Sequence, residues 1–278
     1  MTRTEPAAER LPLDSDNYTG IVIVMVEIKT ESELAMMREA GRVVANTLHA
    51  VKEAAAIGVS LLELDEVAAH VISEAGAKPS FLHYQPRSAP TPYPNVLCAS
   101  VNDVVVHGIP TAYRIQDGDL VSIDCGAILD GWNGDAAISF VVGNADPADL
   151  ALIEATERAL AAGIAAAQPG AKLGDVSYAI GVAGRAQGHG MLDDHGGHGI
   201  GRAMHEDPHL PNEGRAGRGM RLKPGLALAI EPMLTRGGDD YRYAQDGWSI
   251  LTADGSRAAH VEHTIAITED GPRVLTVR

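Results

Sequence analysis

Two acids, Asp124 and Asp135, flank an Asp130-Gly131 dipeptide within Ile123-Asp124-Cys125-Gly126-Ala127-Ile128-Leu129-Asp130-Gly131-Trp132-Asn133-Gly134-Asp135. Asp-Gly is a strong hairpin signal, because a type I′ turn needs positive φ at both central positions. A hairpin about that turn sets Asp135 opposite Gly126. Asp124 then lies two residues further along the same face, a diagonal neighbour at about 7–8 Å. Two bare carboxylates so close repel, and one must take up a proton unless a cation sits between them. Divalent metal ions in the gap let both stay ionised; the competing reading is a solvated pair on an exposed ribbon.

Three further places offer ligands: His198 in Gly196-Gly197-His198-Gly199-Ile200-Gly201, Glu231 before Pro232, and Glu262 in His260-Val261-Glu262-His263. Four carboxylates and one imidazole suit two hard or borderline divalent ions, such as Mn, Fe, Co or Zn, and not a thiolate zinc site. Two ions about 3.5–4 Å apart share bridging carboxylates and a water whose pKa falls toward about 7. Taken singly, each of these residues is more often structural than functional. The glycines around His198 allow close backbone approach or mark a plain surface turn. His205-Glu206-Asp207-Pro208-His209 matches H-E-x-x-H, the zinc-protease pattern that needs both histidines on one helical face. Pro208 denies it that helix. His205 is left as a lone catalytic histidine beside the site or an ordinary surface one.

The elements that would position these residues are legible. Thr30-Glu31-Ser32-Glu33 is a capping box, and Leu34, Met37, Ala40, Val44, Leu48 and Val51 follow at helical spacing, so a helix runs to about Ala56. Ser60-Leu61-Leu62-Glu63 opens a second, stopping at Gly76. Residues 79–95, rich in proline, read as an irregular surface loop. Val96 to His107 and Leu120 to Ala127 read as β-branched strands, the latter part of the hairpin. Asp146-Pro147 then caps a helix from Ala148 to about Ala167, and another runs from Leu173 to Gly188.

The order begins to repeat. Gly58 to Gly76 and Gly170 to Gly188 are equally spaced, each with Leu three residues after the first glycine. Gly118 precedes Asp124 by the same six residues that separate Gly225 from Glu231. Such an internal duplication, two helices followed by strands in each half, would let Asp124 and Glu231 face each other across a pseudo-two-fold axis.

The 278 residues allow a substantial core, filled by aliphatic side chains because aromatics make up only 4%. A net charge of −15 argues against nucleic-acid or anionic-membrane binding. Cys98 and Cys125 show neither CxxC spacing nor a disulfide framework, which points to a reducing cytoplasm. The apolar run Ile21 to Val26 is too short to span a membrane. Residues 1–20 read as a disordered tail and residues 21–278 as one catalytic domain, with halves at about 30–143 and 146–276.

The chain from about residue 30 onward resembles the type I methionine aminopeptidases of the pita-bread fold. The resemblance rests on Ser100-Val101-Asn102-Asp103-Val104-Val105-Val106-His107-Gly108-Ile109-Pro110, the hairpin, Gly197-His198-Gly199-Ile200-Gly201-Arg202 through His205-Glu206-Asp207-Pro208, Ile230-Glu231-Pro232-Met233, Asp246-Gly247-Trp248 and Glu262-His263-Thr264. It implies a mixed α/β (α+β) fold in which duplicated helix-helix-strand halves surround a curved, mainly antiparallel sheet. It also implies two divalent metal ions: Asp124 would chelate one, His198 and Glu231 the other, with Asp135 and Glu262 bridging. A bridging hydroxide would attack the first peptide carbonyl of a chain whose α-amine is held by metal. Glu231 would accept the proton, while His107 and His205 stabilise the tetrahedral intermediate and assist the leaving amine.

An apolar, aromatic methionine pocket is implied at Tyr84, Tyr93, Cys98 and Trp248. Met204 stands before His205 where the family often has an aromatic, and the loop 85–92 is longer than usual. Expected substrates are N-terminal methionine peptides and nascent chains at the ribosome, processed by a cytoplasmic monomer; no zinc-finger-like ribosome-docking extension is evident. Two alternatives remain on the same fold. One is an Xaa-Pro aminopeptidase, which usually carries a large extra N-terminal domain; the other is a non-catalytic binding module, whose signature is loss of ligands.

Overall fold

The computed structural model describes residues 26–87, 89–192 and 194–278. The expected N-terminal tail and most of the Ile21–Val26 run lie outside the described residues. Four helices form where the caps predict: α1, Glu31–Ala54; α2, Leu61–Glu74; α3, Pro147–Ala166; and α4, Leu173–Arg185. Thr30 and Ser60 each close a capping box with the glutamate three residues on, and Asp146 caps α3 ahead of its N1 proline. Lys172, which precedes α4, has no side chain suited to capping, so the Asp175 carboxylate accepts the Lys172 N–H at 2.7 Å instead. No helix among the described residues is long and apolar enough to cross a membrane.

The helices flank a nine-stranded sheet whose principal order is Lys78–Pro79, Asp119–Leu129, Trp132–Val142, Glu262–Thr268, Ala227–Ile230, Gly196–Gly199 and Glu206–Pro211. Every pairing in it is antiparallel. This is the expected architecture. Two large core clusters fill it, one beneath each helix pair. Val44, Leu48, Leu64 and Ile72 pack on Val121 and Ile123 in the first, while Leu152, Leu160, Val176 and Ile180 pack on Leu228 and Ile265 in the second.

The repeated glycines adopt matching left-handed conformations: φ is 89° at Gly58 and 88° at Gly170, 70° at Gly76 and 79° at Gly188, 84° at Gly118 and 89° at Gly225. The hydrogen bonds around them correspond too. Gly58 N–H donates to Ile115 O and Ile115 N–H to Val59 O; Gly170 N–H donates to Leu222 O and Leu222 N–H to Ala171 O. Isolated bridges Ser60 to Arg114 and Lys172 to Arg221 sit at equivalent offsets. Spacing shared by chance would not reproduce a shared bonding pattern, so the duplication is structural.

Two expectations need correction. The stretch Val96 to His107 is two strands, Cys98–Val101 and Val104–Val106, that enter different sheets. Asn102 breaks the run at φ 58°, with its side chain spanning Asp119 Oδ1 and Leu120 N–H. The β-branched composition concealed an Asn-Asp turn. Residues 79–95 are not wholly a surface loop either. Lys78–Pro79 pairs with the hairpin strand, and Phe81 and Tyr93 are buried, Tyr93 donating its hydroxyl to Leu97 O and Gly108 O.

Helix α1 lies close on the hairpin because two glycines meet there. A Cβ at Gly134 would stand 2.8 Å from Gly41 N, and one at Gly41 would collide with the Leu275 carbonyl. Helix propensity alone predicts that Gly41→Ala stabilises by about 0.8–1 kcal/mol. The collision reverses the sign: overpacking should destabilise the protein by about 1–3 kcal/mol in urea denaturation, and a stabilised variant would refute this account of the contact.

Candidate active site

The site is built by strand register. Asp135 pairs with Gly126, as the hairpin turn requires. Cys98 pairs with Asp124, Asp124 with Ala137, and Ala137 with Glu262. His263 pairs with Ile230, so the same register carried one residue further sets Glu231 opposite Glu262. Asp124, Glu262 and Glu231 thus share one row across the sheet. The adjacent row on the same face holds Asp135, Thr264, Ala229 and His198, with Thr264 and His198 each paired to Ala229. Small side chains at Ala137 and Ala229 leave room between the acids.

The backbone is held tightly at these points. Thr264 Oγ1 accepts the Asp135 N–H at 3.0 Å and donates to the Asp135 carbonyl at 2.8 Å, replacing a ladder bond. The hairpin tip is tied to the segment after His198: Asn133 N–H donates to Gly201 O, and the Arg202 guanidinium lies 3.9 Å over the Trp132 ring. Close approach explains the glycines there. A Cβ at Gly197 would strike the Ala229 carbonyl, and one at Gly199 the Asp207 carbonyl.

Donor atoms of Asp135, His198 and Glu262 lie within 4.8 Å of one another, as do those of Glu231, His260 and Glu262. Asp124 belongs to neither trio, although its Oδ1 is buried beside them without a partner. Asp135 Oδ1 and Glu262 Oε1 are orphaned in the same way. Buried acceptors without donors are costly, and cations would satisfy all three at once. Electrostatics agree. Burial and the neighbouring Glu231 push Asp135 up to about 8, and burial pushes Glu231 up to about 8. Asp124 and Glu262 are raised well above the carboxylate range by burial and by the acids around them. His198 Nδ1–H donates to Gly199 O at 2.9 Å, which leaves its Nε2 lone pair toward the acids, and burial lowers its pKa to about 3. A neutral imidazole and four clustered carboxyls form a donor set suited to divalent ions.

Every residue expected at the site lines one cavity of about 60 Å³. One end holds the five candidate ligands. The other is apolar: Tyr93, Cys98, Met204 and Trp248 form a cluster with Phe81, and Tyr84 packs against it. Tyr93 meets Trp248 edge to face at 5.1 Å, and Tyr84 stacks on His205 at 5.2 Å. The His205 ring, exposed on one side, lies 4.1 Å from that of His198, which places it beside the candidate ligands. His107, at φ 59°, is turned toward Trp248, and burial near other imidazoles lowers its pKa to about 3. A wider cavity of about 700 Å³ adjoins, sharing Tyr84, His107, His205, Glu231 and Trp248 with the first.

The H-E-x-x-H match fails as expected, because Glu206–Pro211 is a strand. Glu206 is instead bound to the buried Lys29, 2.6 Å away, and to the Ala203 N–H. Sequence reasoning missed three residues. Phe81 was hidden in an apparent surface loop. Thr264 acts through a side chain that mimics backbone. His260 had a usable signal: it stands two residues before Glu262, the spacing that puts side chains on one face of an extended chain.

The sequence profile of metallopeptidase family M24 matches residues 35–269. Methionine aminopeptidase 1 of Mycobacterium tuberculosis is 55% identical over 260 residues, covering 91% of this chain and 96% of that protein. The crystal structure of methionine aminopeptidase from Thermotoga maritima superposes with a TM-score of 0.87 at 39% identity, over 91% of this chain and 100% of that one. Prolidase from Pyrococcus furiosus shares the fold, with a TM-score of 0.72 at 24% identity over 90% of this chain and 65% of its own length. On the profile match, and on identities that run nearly the full length of both partners, the chain belongs to metallopeptidase family M24, among its methionine aminopeptidases.

Proposed function

We propose that this chain is a metal-dependent aminopeptidase that removes the N-terminal methionine from peptides and nascent proteins in the cytoplasm, acting as a monomer. The observation that carries this reading is the single cavity joining a cradle of acids and imidazole to an apolar, aromatic socket. Asp135 and Glu262 would be shared between two divalent cations, with Asp124 completing one set and His198 and Glu231 the other; Mn, Fe, Co and Zn all suit these donors. Bound cations supply Lewis acidity and bring the pKa of coordinated water toward neutrality.

The chain's own groups do the rest. Tyr84, Tyr93, Trp248 and Phe81 surround a thioether with aromatic faces and edges, a contact worth about 0.3–1.5 kcal/mol per ring. Cys98 and Met204 complete the socket. The substrate's free α-amine would be held at the cation cradle, which limits cleavage to the first peptide bond. Glu231, which lines both cavities, is the carboxylate that would take a proton from the attacking water. His107 and His205, at the junction of the two cavities, would donate N–H to the oxyanion and assist the departing amine. The wider cavity takes the rest of the peptide, at the ribosome or free in solution.

Three expectations test this. Met-Ala-Ser should be cleaved and an Ala-Pro peptide should not, with turnover lost on chelation; the reverse preference would favour an Xaa-Pro enzyme, and no cleavage of either a binding module. Asp135→Asn and Glu262→Gln should abolish turnover with an unchanged circular-dichroism spectrum, and near wild-type turnover in either would contradict the two-cation scheme. His205→Ala should lower kcat by about 100-fold or more while leaving metal affinity nearly unaltered; normal turnover after metal reloading would exclude its role.

A fourth concerns pH. Asp135 and Glu231 titrate at about 8 when folded but at about 4 when unfolded. The folded, metal-free protein therefore binds more protons than the unfolded chain between those values, and its stability should fall as pH rises through that window. Bound cations replace those protons. The Tm of chelator-treated protein should drop between about pH 5.5 and about pH 8, more steeply than that of cation-loaded protein; parallel curves would mean that the acids are not the linked groups.

A further inference from the structure

His260 lies beside the acid cluster with no assigned part in it. Its side chain is 2% exposed, and its Nε2 has no hydrogen-bond partner. That atom stands 3.5 Å from Glu231 Oε2 and 4.0 Å from Glu262 Oε2. His198 Nε2 lies 3.7 Å from the other Glu231 oxygen, Oε1. The two imidazoles therefore address the two oxygens of one carboxylate. Nitrogen and oxygen donors that share an ion at about 2.0–2.2 Å stand roughly 3–4 Å apart, which matches these separations.

The ring is also fixed in place. Ser139 Oγ accepts the His260 N–H at 3.0 Å and donates to the His260 carbonyl at 2.8 Å, while Ser122 Oγ lies 2.7 Å from Ser139 Oγ. On its other side, His260 pairs with Met233 in a small second sheet. A buried imidazole locked by its backbone on both flanks, with a vacant ring nitrogen aimed at two acids, is built as a ligand is built. Ordinary core packing would leave that nitrogen bonded to something.

We infer that His260 Nε2 is a second nitrogen donor to the metal centre, binding the cation that Glu231 and Glu262 hold. The inference rests on the metal-dependent reading above and deepens it. Its chemical consequence is a centre richer in nitrogen than four carboxylates and one imidazole provide, shifted toward cobalt, iron and zinc relative to manganese.

The test is the proton NMR spectrum of the full chain loaded with Co(II), in which each ligating imidazole contributes an exchangeable, hyperfine-shifted ring N–H. Two such signals are expected in the wild type, one removed by His198→Ala and the other by His260→Gln, with His107→Ala and His205→Ala retaining both. Calorimetric titration of His260→Gln should show Co(II) affinity weakened about ten-fold or more, with a smaller loss for Mn(II). A wild-type spectrum with the His198 signal alone overturns the inference without needing any variant to fold, as does a His260→Gln spectrum identical to the wild type. In either case His260 donates a hydrogen bond to Glu231 and the two-cation reading stands. Failure of the wild type to take up Co(II) at all would overturn both.

Discussion

Four carboxyl groups buried within a few ångströms of one another are the constraint from which the rest of this structure follows. Two like charges 4 Å apart repel by about 4 kcal/mol at an effective dielectric of 20, against a total stability of about 5–15 kcal/mol for a typical domain. Four ionised acids cannot be kept together at that cost. Asp124, Asp135, Glu231 and Glu262 must hold protons or hold cations, and their raised pKa values express the first state. The cluster destabilises the chain that carries it, and divalent ions bound there would convert that stress into binding free energy.

Keeping such a cluster intact requires a frame that does not relax. Antiparallel register supplies it: the acids sit on two neighbouring rows, and a slip of one residue would turn every one of them to the opposite face. Thr264 reinforces the register at Asp135, and the Gly41–Gly134 contact seats α1 against the hairpin. The duplicated halves bring Asp124 and Glu231 to matching positions, each six residues after a left-handed glycine, Gly118 and Gly225. The pseudo-symmetry is thus an economical source of two matching acids, one from each half.

The apolar socket solves a different problem. Selectivity for an unbranched, polarizable side chain needs aromatic walls at the right spacing, and the chain has few aromatic residues to spend. Phe81, Tyr84, Tyr93 and Trp248 come from two loops and converge on one cavity. Their packing against His205 and His107 places the hydrophobic end directly beside the polar one. A side chain in the socket would therefore present its own backbone to the acids.

The sequence by itself determined the parts governed by local rules. Capping boxes fixed the helix starts, Asp130-Gly131 fixed the hairpin register and with it the Asp135–Gly126 pair, and Pro208 ruled out a zincin helix. Repeated glycine spacings announced the duplication, because positive φ at fixed intervals leaves a trace in composition. The family motifs named all five candidate ligands. Tertiary structure decided what depends on partners distant along the chain: that Phe81 turns inward, that the Val96–His107 run divides between two sheets, that Thr264 clasps Asp135, and that His260 faces Glu231. Those outcomes depend on burial and cross-strand register, which arise only when segments far apart along the chain are brought together; the spacing of His260 from Glu262 gives its face but not its partner.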